Sequence, residues 1–178
     1  MSLYTNTNER CLWQEVVQDA EIKCSVKLEQ ELESYLVSLL SRYSKNTHFA
    51  TQIYATAFLE AMQKKQNERM TLLREVGDGC LLFAGLFPKA HERRLVKINY
   101  FVDIGRSAYA AISHKTSDLY ASLAFQFVVL MDILQSIRPS YDLSPFEAYE
   151  RFESLGSQHA LKVLQSYSSI IPLNQYKK

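Results

Sequence analysis

Residues 70–87 read MTLLREVGDGCLLFAGLF, and the spacing of their apolar and small side chains decides the fold. Met70, Leu73, Gly77, Cys80, Ala84 and Phe87 recur three and four apart, which is one continuous helical seam. Gly77 and Ala84 are small enough to let another helix approach closely. From Cys80 to Phe87 nearly every position is apolar, so this end of the helix should be surrounded on all sides. Pro88 stops it or opens the next turn, because proline cannot continue the backbone ladder. The segment from Lys89 to Lys97 then reads as a short basic connection. A second helix is expected from about Ile98 to Ser113, burying Phe101, Ile104, Ala108 and Ile112 and placing Asn99, Asp103 and Arg106 on its other face.

Working outward, Leu28, Leu32, Tyr35, Leu36, Leu39, Leu40 and Tyr43 keep the same period, with Glu29, Glu31 and Glu33 at the end where the helix dipole favours anions. Asn46-Thr47 is expected to close that helix and cap the next, which carries Phe49, Ile53, Tyr54, Ala57, Phe58, Ala61 and Met62. Residues 10–20 suggest a shorter helix using Leu12, Val16 and Val17. Downstream, Ser117 should cap one long apolar helix running to Arg138-Pro139. Ser144-Pro145-Phe146-Glu147 is a capping box with proline at the first helical position. That helix ends at Gly156, and Ser157 starts a last one through Tyr167.

Only 5 Gly and 4 Pro stand against 11 Tyr and 9 Phe in the 178 residues, too few turn-formers for a many-stranded barrel or sandwich. No stretch alternates with period two. The expectation is an all-α single-domain helical bundle of about six to eight helices over residues 1–171, with a flexible tail at 172–178.

The 20 basic and 19 acidic side chains leave a net charge of +1, which argues against a dedicated nucleic-acid binder. Cys11, Cys24 and Cys80 form no C-x-x-C pair, which suits a reducing compartment. The first twenty residues lack a signal peptide's apolar core. Leu119 to Leu134 is short for a membrane span and interrupted by Ser122, Gln126 and Asp132, so it reads as a buried helix. The expectation is a cytoplasmic protein without membrane insertion. The four histidines show neither H-x-x-x-H nor E-x-x-H spacing, and no metal or cofactor is predicted.

The string LLREVGDGCLLFAGLFP at 72–88, then HERR, then INYFVDIGRSAY at 98–109, resembles a group of uncharacterised bacterial helical proteins. Their pattern, L-R-x-x-G-D-x-x-L-F-x-x-G-x-F-P followed by Y-[YF]-x-x-x-G-x-x-A-Y, falls on Leu73, Arg74, Gly77, Asp78, Leu81, Leu82, Gly85, Phe87 and Pro88. It continues on Arg93, Arg94, Tyr100, Phe101, Gly105, Ala108 and Tyr109, with Leu82 standing where the pattern has an aromatic ring and Phe83 one position later. The resemblance implies a helical bacterial protein and brings no substrate, cofactor or catalytic role.

Asp78 is the most conspicuous polar residue, placed just before the apolar run and one turn after Arg74. Two readings are open: a ligand contact or acid–base group, or a buried pair tying this helix to the one carrying Arg106. A polar network or pocket would draw on Arg74, Asp78, Asp103, Arg106 and Tyr109. Gly77, Gly79, Gly85 and Gly105 match no phosphate-loop motif and read as close-packing positions. Arg93, Arg94 and Lys97, beside Tyr100 and Phe101, form the one basic cluster, either an anion site or a solvated connection. No catalytic motif is present. The leading expectation is a non-enzymatic helical protein acting through a protein partner or as a homo-oligomer. The alternative is a small-molecule, possibly anionic, pocket near Asp78 and Arg106.

Overall fold

The computed structural model describes residues 2–45, 53–87, 97–113, 118–138 and 143–168. Nine helices and no strands occur among them: α1 (Ser2–Cys24), α2 (Gln30–Lys45), α3 (Tyr54–Met62), α4 (Gln66–Leu86), α5 (Ile98–Ile112), α6 (Leu119–Phe125), α7 (Phe127–Ser136), α8 (Pro145–Leu155) and α9 (Gln158–Ser168). The protein is an all-α single domain. Each expected helix is present among the described residues, but α3 begins only at Tyr54, with Ile53 extended before it, and the expected long helix after residue 117 is two helices. The junction Asn46-Thr47, Phe49 and the tail 172–178 lie outside the described residues, and the cap expected at Ser117 is instead Asp118, whose carboxylate accepts the Ala121 N–H at 2.8 Å.

Two helices form the centre. In α4 every residue from Val76 to Gly85 is buried, and in α7 every residue from Leu130 to Gln135 is. A helix apolar on all sides can be accommodated only where neighbours surround it. They meet where Leu134 lies over Gly85, close enough that an added Cβ there would sit 2.5 Å from the leucine Cβ. The Gln135 amide adds a bond of 2.9 Å to the Ala84 carbonyl. Around this pair, α5 and α3 pack on α4, the α1–α2 hairpin rests on α7 and α6, and the α8–α9 hairpin closes against α7.

The close-packing reading of the glycines holds, and the partners are mostly aromatic rings. A Cβ at Gly77 would lie 2.6 Å from the Tyr109 ring, and one at Gly105 would lie 2.5 Å from the Phe127 ring. Helical glycine costs about 1 kcal/mol. Burying a ring of that size contributes about 2–3 kcal/mol, so the exchange favours glycine plus ring.

The expected long helix is broken at Gln126, where α6 and α7 meet at 71°. Neither glycine nor proline marks the site, so propensity gives no warning. The break leaves Phe125 83% exposed while Phe127 is fully buried in the Gly105 notch. Arg106 Nε donates 3.2 Å to the Ala124 carbonyl and so satisfies an acceptor at the end of α6. Among the described residues no single helix is long and apolar enough to cross a membrane; α6 and α7 meet that criterion only together, across their bend.

The first helix is longer than expected and ends without a glycine. Ser25 takes φ 53°, while its N–H reaches the Ile22 carbonyl at 3.0 Å and the Val26 N–H reaches Glu21 at 3.0 Å. This is a Schellman cap with serine at the left-handed position that glycine usually occupies. Left-handed backbone costs an L-residue about 1–2 kcal/mol. Ser25→Gly should therefore raise stability by about 1 kcal/mol in urea unfolding, whereas Ser25→Ala should give no gain. Equal midpoints for the glycine variant and the native chain would contradict this account.

Candidate functional site

Asp78 sits within Gly77-Asp78-Gly79, and the flanking glycines explain how the site forms. Gly77 admits the Tyr109 ring from α5, and Gly79 admits the Tyr54 ring from α3. Lying against Gly77, Tyr109 turns its hydroxyl onto Asp78 Oδ1 at 2.8 Å. Tyr35 from α2 donates to the same oxygen at 2.6 Å, its ring edge-on to Tyr109 with centroids 6.5 Å apart. Arg42, two turns after Tyr35 on α2, places Nη2 3.2 Å from Oδ2 and its guanidinium 6.0 Å from the centre of the Tyr35 ring. One carboxylate thus ties α2, α4 and α5 together.

The electrostatics follow from the burial. Asp78 is 6% exposed. Burial pushes its carboxyl up from the ordinary value, against two phenol hydrogen bonds and the charges of Arg42 and Arg74. Burial and the neighbouring carboxylate push both Tyr35 and Tyr109 far above their usual range, so they stay neutral donors. With both oxygens engaged and little access to solvent, Asp78 serves as a cross-link between helices rather than as an exposed acid, base or ligand group.

Of the five residues expected to form a polar network, the structure brings together Arg74, Asp78 and Tyr109. Asp103 is exposed on α5, and Arg106 is exposed with its Nε on the end of α6. The expectation that Asp78 and Arg106 share a pocket is therefore corrected. Tyr109, three residues after Arg106 and so close by on the helix, is what carries α5 to Asp78. Arg42 was not anticipated. Its signal is the seven-residue spacing from Tyr35, which returns it to the same helix face. Arg93 and Arg94 lie outside the described residues. Lys97 makes a surface pair with Glu150 at 3.6 Å, a contact that contributes little.

A second buried carboxylate closes the other end. Asp132 on α7 accepts both 2.8 and 2.9 Å contacts from the Ser157 hydroxyl and a 3.4 Å bond from the His159 N–H. Ser157 Oγ in turn accepts from the Ala160 N–H at 3.1 Å, the cap its sequence position suggests. Serine, histidine and aspartate meet here, but the serine proton points to aspartate and the histidine contributes its backbone. The arrangement caps α9 and does not form a nucleophilic triad. Nearby, Arg151 donates 2.7 Å to the buried Gln135 side chain. Among the described residues no group of three His, Cys, Asp or Glu side chains is placed to hold a metal. Cys80 is fully buried and burial raises its thiol, so it is an inert core residue.

One larger concavity lies elsewhere. A groove of about 870 Å³ runs between α5 and α6, with Arg106, Ser107 and Ala110 on one side and Ala121, Ser122 and Phe125 on the other. Glu29, at the start of α2, also lines it. No family model matches the chain, and no curated protein or solved structure shows a significant likeness to it.

Two outcomes test the buried carboxylates. Asp78→Asn puts an amide N–H₂ or a single oxygen where three donors converge, so it should lower stability by more than about 1 kcal/mol in urea unfolding. Native stability in that variant would remove the cross-link role. Asp132 is pushed up to about 6, by burial first, against its Ser157 and His159 bonds. A raised carboxyl binds its proton more tightly in the folded chain, so stability is greatest below the unfolded value and is lost as pH rises through about 6. Relative to Asp132→Asn, the native chain should lose roughly 3 kcal/mol between about pH 4 and pH 6, with no further difference above. The comparison cancels His159, whose proton affinity burial lowers in both chains.

Proposed function

We propose that the chain is a non-enzymatic helical protein that acts by self-association, a second copy docking on the groove between α5 and α6. The observation that carries this reading is Phe125. It is the most exposed of the large apolar side chains among the described residues, 83% open, and it lines a groove whose other apolar lining is alanine. A knob beside a shallow cleft is complementary to itself under a two-fold axis, where each residue meets its counterpart's partner. Charge supports the same occupant. Glu29 and Arg106 both line the groove without pairing to each other, and among the described residues Arg106 commits only Nε to a hydrogen bond. In a two-fold pair, Glu29 of each copy can meet Arg106 of the other.

The resemblance of residues 72–109 supports a bacterial source. The free Cys11, Cys24 and Cys80 support a reducing, cytoplasmic setting. Asp78 and the tyrosines enter this reading as the scaffold that fixes α5 beneath the groove.

Light scattering over a concentration series tests the proposal. The native chain should be a dimer, and Phe125→Glu a monomer with unchanged helical circular dichroism. Glu29→Arg alone should weaken the dimer by at least about tenfold, and combination with Arg106→Glu should restore it. A native chain that stays monomeric up to high micromolar concentration would overturn the second-copy reading, as would a Phe125→Glu variant that dimerises normally.

A further inference from the structure

The outer face of α8 carries three of the large apolar side chains that stay exposed among the described residues. Phe146 is 70% exposed, Tyr149 53% and Phe152 36%. All three are aromatic, and they share one helix of 11 residues. The inner face of that helix is spent on the core: Ala148 and Arg151 are buried, with the Arg151 guanidinium on the Gln135 side chain at 2.7 Å. Arg151 is the only cation in the helix, so the outer face has none of its own. Glu150 and Glu153 are exposed there beside the rings.

Residues three and four apart are neighbours on a helix surface. Phe146 therefore adjoins Glu150, and Tyr149 adjoins Glu153, each ring with a carboxylate one turn later. The two ring–carboxylate units are offset by three residues and so lie side by side. Each offers one cation both an aromatic face and a negative charge. Arginine suits such a unit better than lysine, because its guanidinium plane stacks on the ring while its edge pairs with oxygen. The core contains the same arrangement: Arg42 pairs with Asp78 while its guanidinium stands 6.0 Å from the centre of the Tyr35 ring. On α8, Lys97 already brings a cation to Glu150 at 3.6 Å, in an exposed pair weak enough to yield to a better one.

We propose that this face of α8 docks an arginine-rich segment of another protein, two of its guanidinium groups each stacked on one ring and paired with the carboxylate one turn on. Charge complementarity selects that occupant. Glu150 and Glu153 would repel an anionic membrane surface, and they would equally repel the same face of a second copy. Phe152 extends the apolar contact at the edge of the two units. Aromatic side chains and arginine are the residues that protein interfaces concentrate. The inference goes beyond self-association, since no residue of this face lines the groove between α5 and α6.

Fluorescence anisotropy at fixed ionic strength tests it, with a labelled helical peptide of alanine and glutamine that carries arginine at every fourth position. Peptides with lysine or glutamate at the same positions are the comparators. The arginine peptide should bind saturably, the lysine peptide at least about threefold more weakly, and the glutamate peptide not measurably. Phe146→Gln with Tyr149→Gln leaves the charge unchanged, and both sites are exposed, so this double variant should keep native helical circular dichroism. It should weaken the arginine peptide by at least about fivefold, which charge attraction alone does not predict. Its oligomeric state in light scattering should equal that of the native chain. The proposal is overturned if the arginine peptide does not bind saturably, or if the lysine peptide binds as tightly. It is equally overturned if the double variant binds the arginine peptide with native affinity, or if that variant changes the oligomeric state, which would make the face a contact between copies.

Discussion

A carboxylate placed in the middle of a buried helix has to be met by donors from outside that helix, and Asp78 imposes this on the whole molecule. Ionised, it would be costly in the core without partners. Its partners come from α2 and α5, so those helices can dock on α4 only in the register that brings Tyr35, Arg42 and Tyr109 to its two oxygens. Gly77 and Gly79 make the approach possible, since a methyl group at either would collide with a tyrosine ring. The apolar seam supplies driving force but little direction, and the polar cross-link supplies the direction.

The same division recurs at the helix ends. The first residues of α3, α4, α5 and α7 have no side-chain cap of their own. Instead the Tyr100 hydroxyl accepts the Ala55 N–H at 3.1 Å, and Asp132 stands at the start of α9. At the opposite ends, Lys162 donates to the Cys24 carbonyl at 2.6 Å, Arg138 to that of Leu86 and Arg106 to that of Ala124. Cations at helix C-termini and anions at N-termini favour the dipole as well as the hydrogen bond. Because each cap belongs to a different helix, the helix ends and the tertiary packing stabilise each other.

How much of this is legible depends on whether the signal is local. The seam of α4 is a repeat within eighteen residues, and the Ser144–Glu147 box satisfies both of its bonds within four. Both read correctly because the chain supplies cause and effect together. The break at Gln126 has no local cause: Phe127 leaves the expected helix line because a notch at Gly105, on another helix, receives it. The end of α1 was hidden for a related reason, since serine occupies a backbone position where glycine would have announced a stop. At the site, spacing put Arg74 one turn from Asp78, where its charge acts on the carboxylate. It led to Arg106 wrongly, because of the two it is Tyr109 that faces α4, while Arg106 lies on the exposed side of that helix.

The sequence by itself determined the all-α class, most helix positions and the buried faces of α4 and α5, because each follows from a period that the backbone geometry dictates. It also marked Asp78 as a polar group in an apolar run. Only the tertiary structure decided what that group does. The donors that close over Asp78 lie 43, 36 and 31 residues away in the chain. No spacing rule within one helix reaches that far. It likewise decided that Arg74 Nε finds no acceptor among the described residues, since a missing partner can be recognised only after the neighbours have been placed.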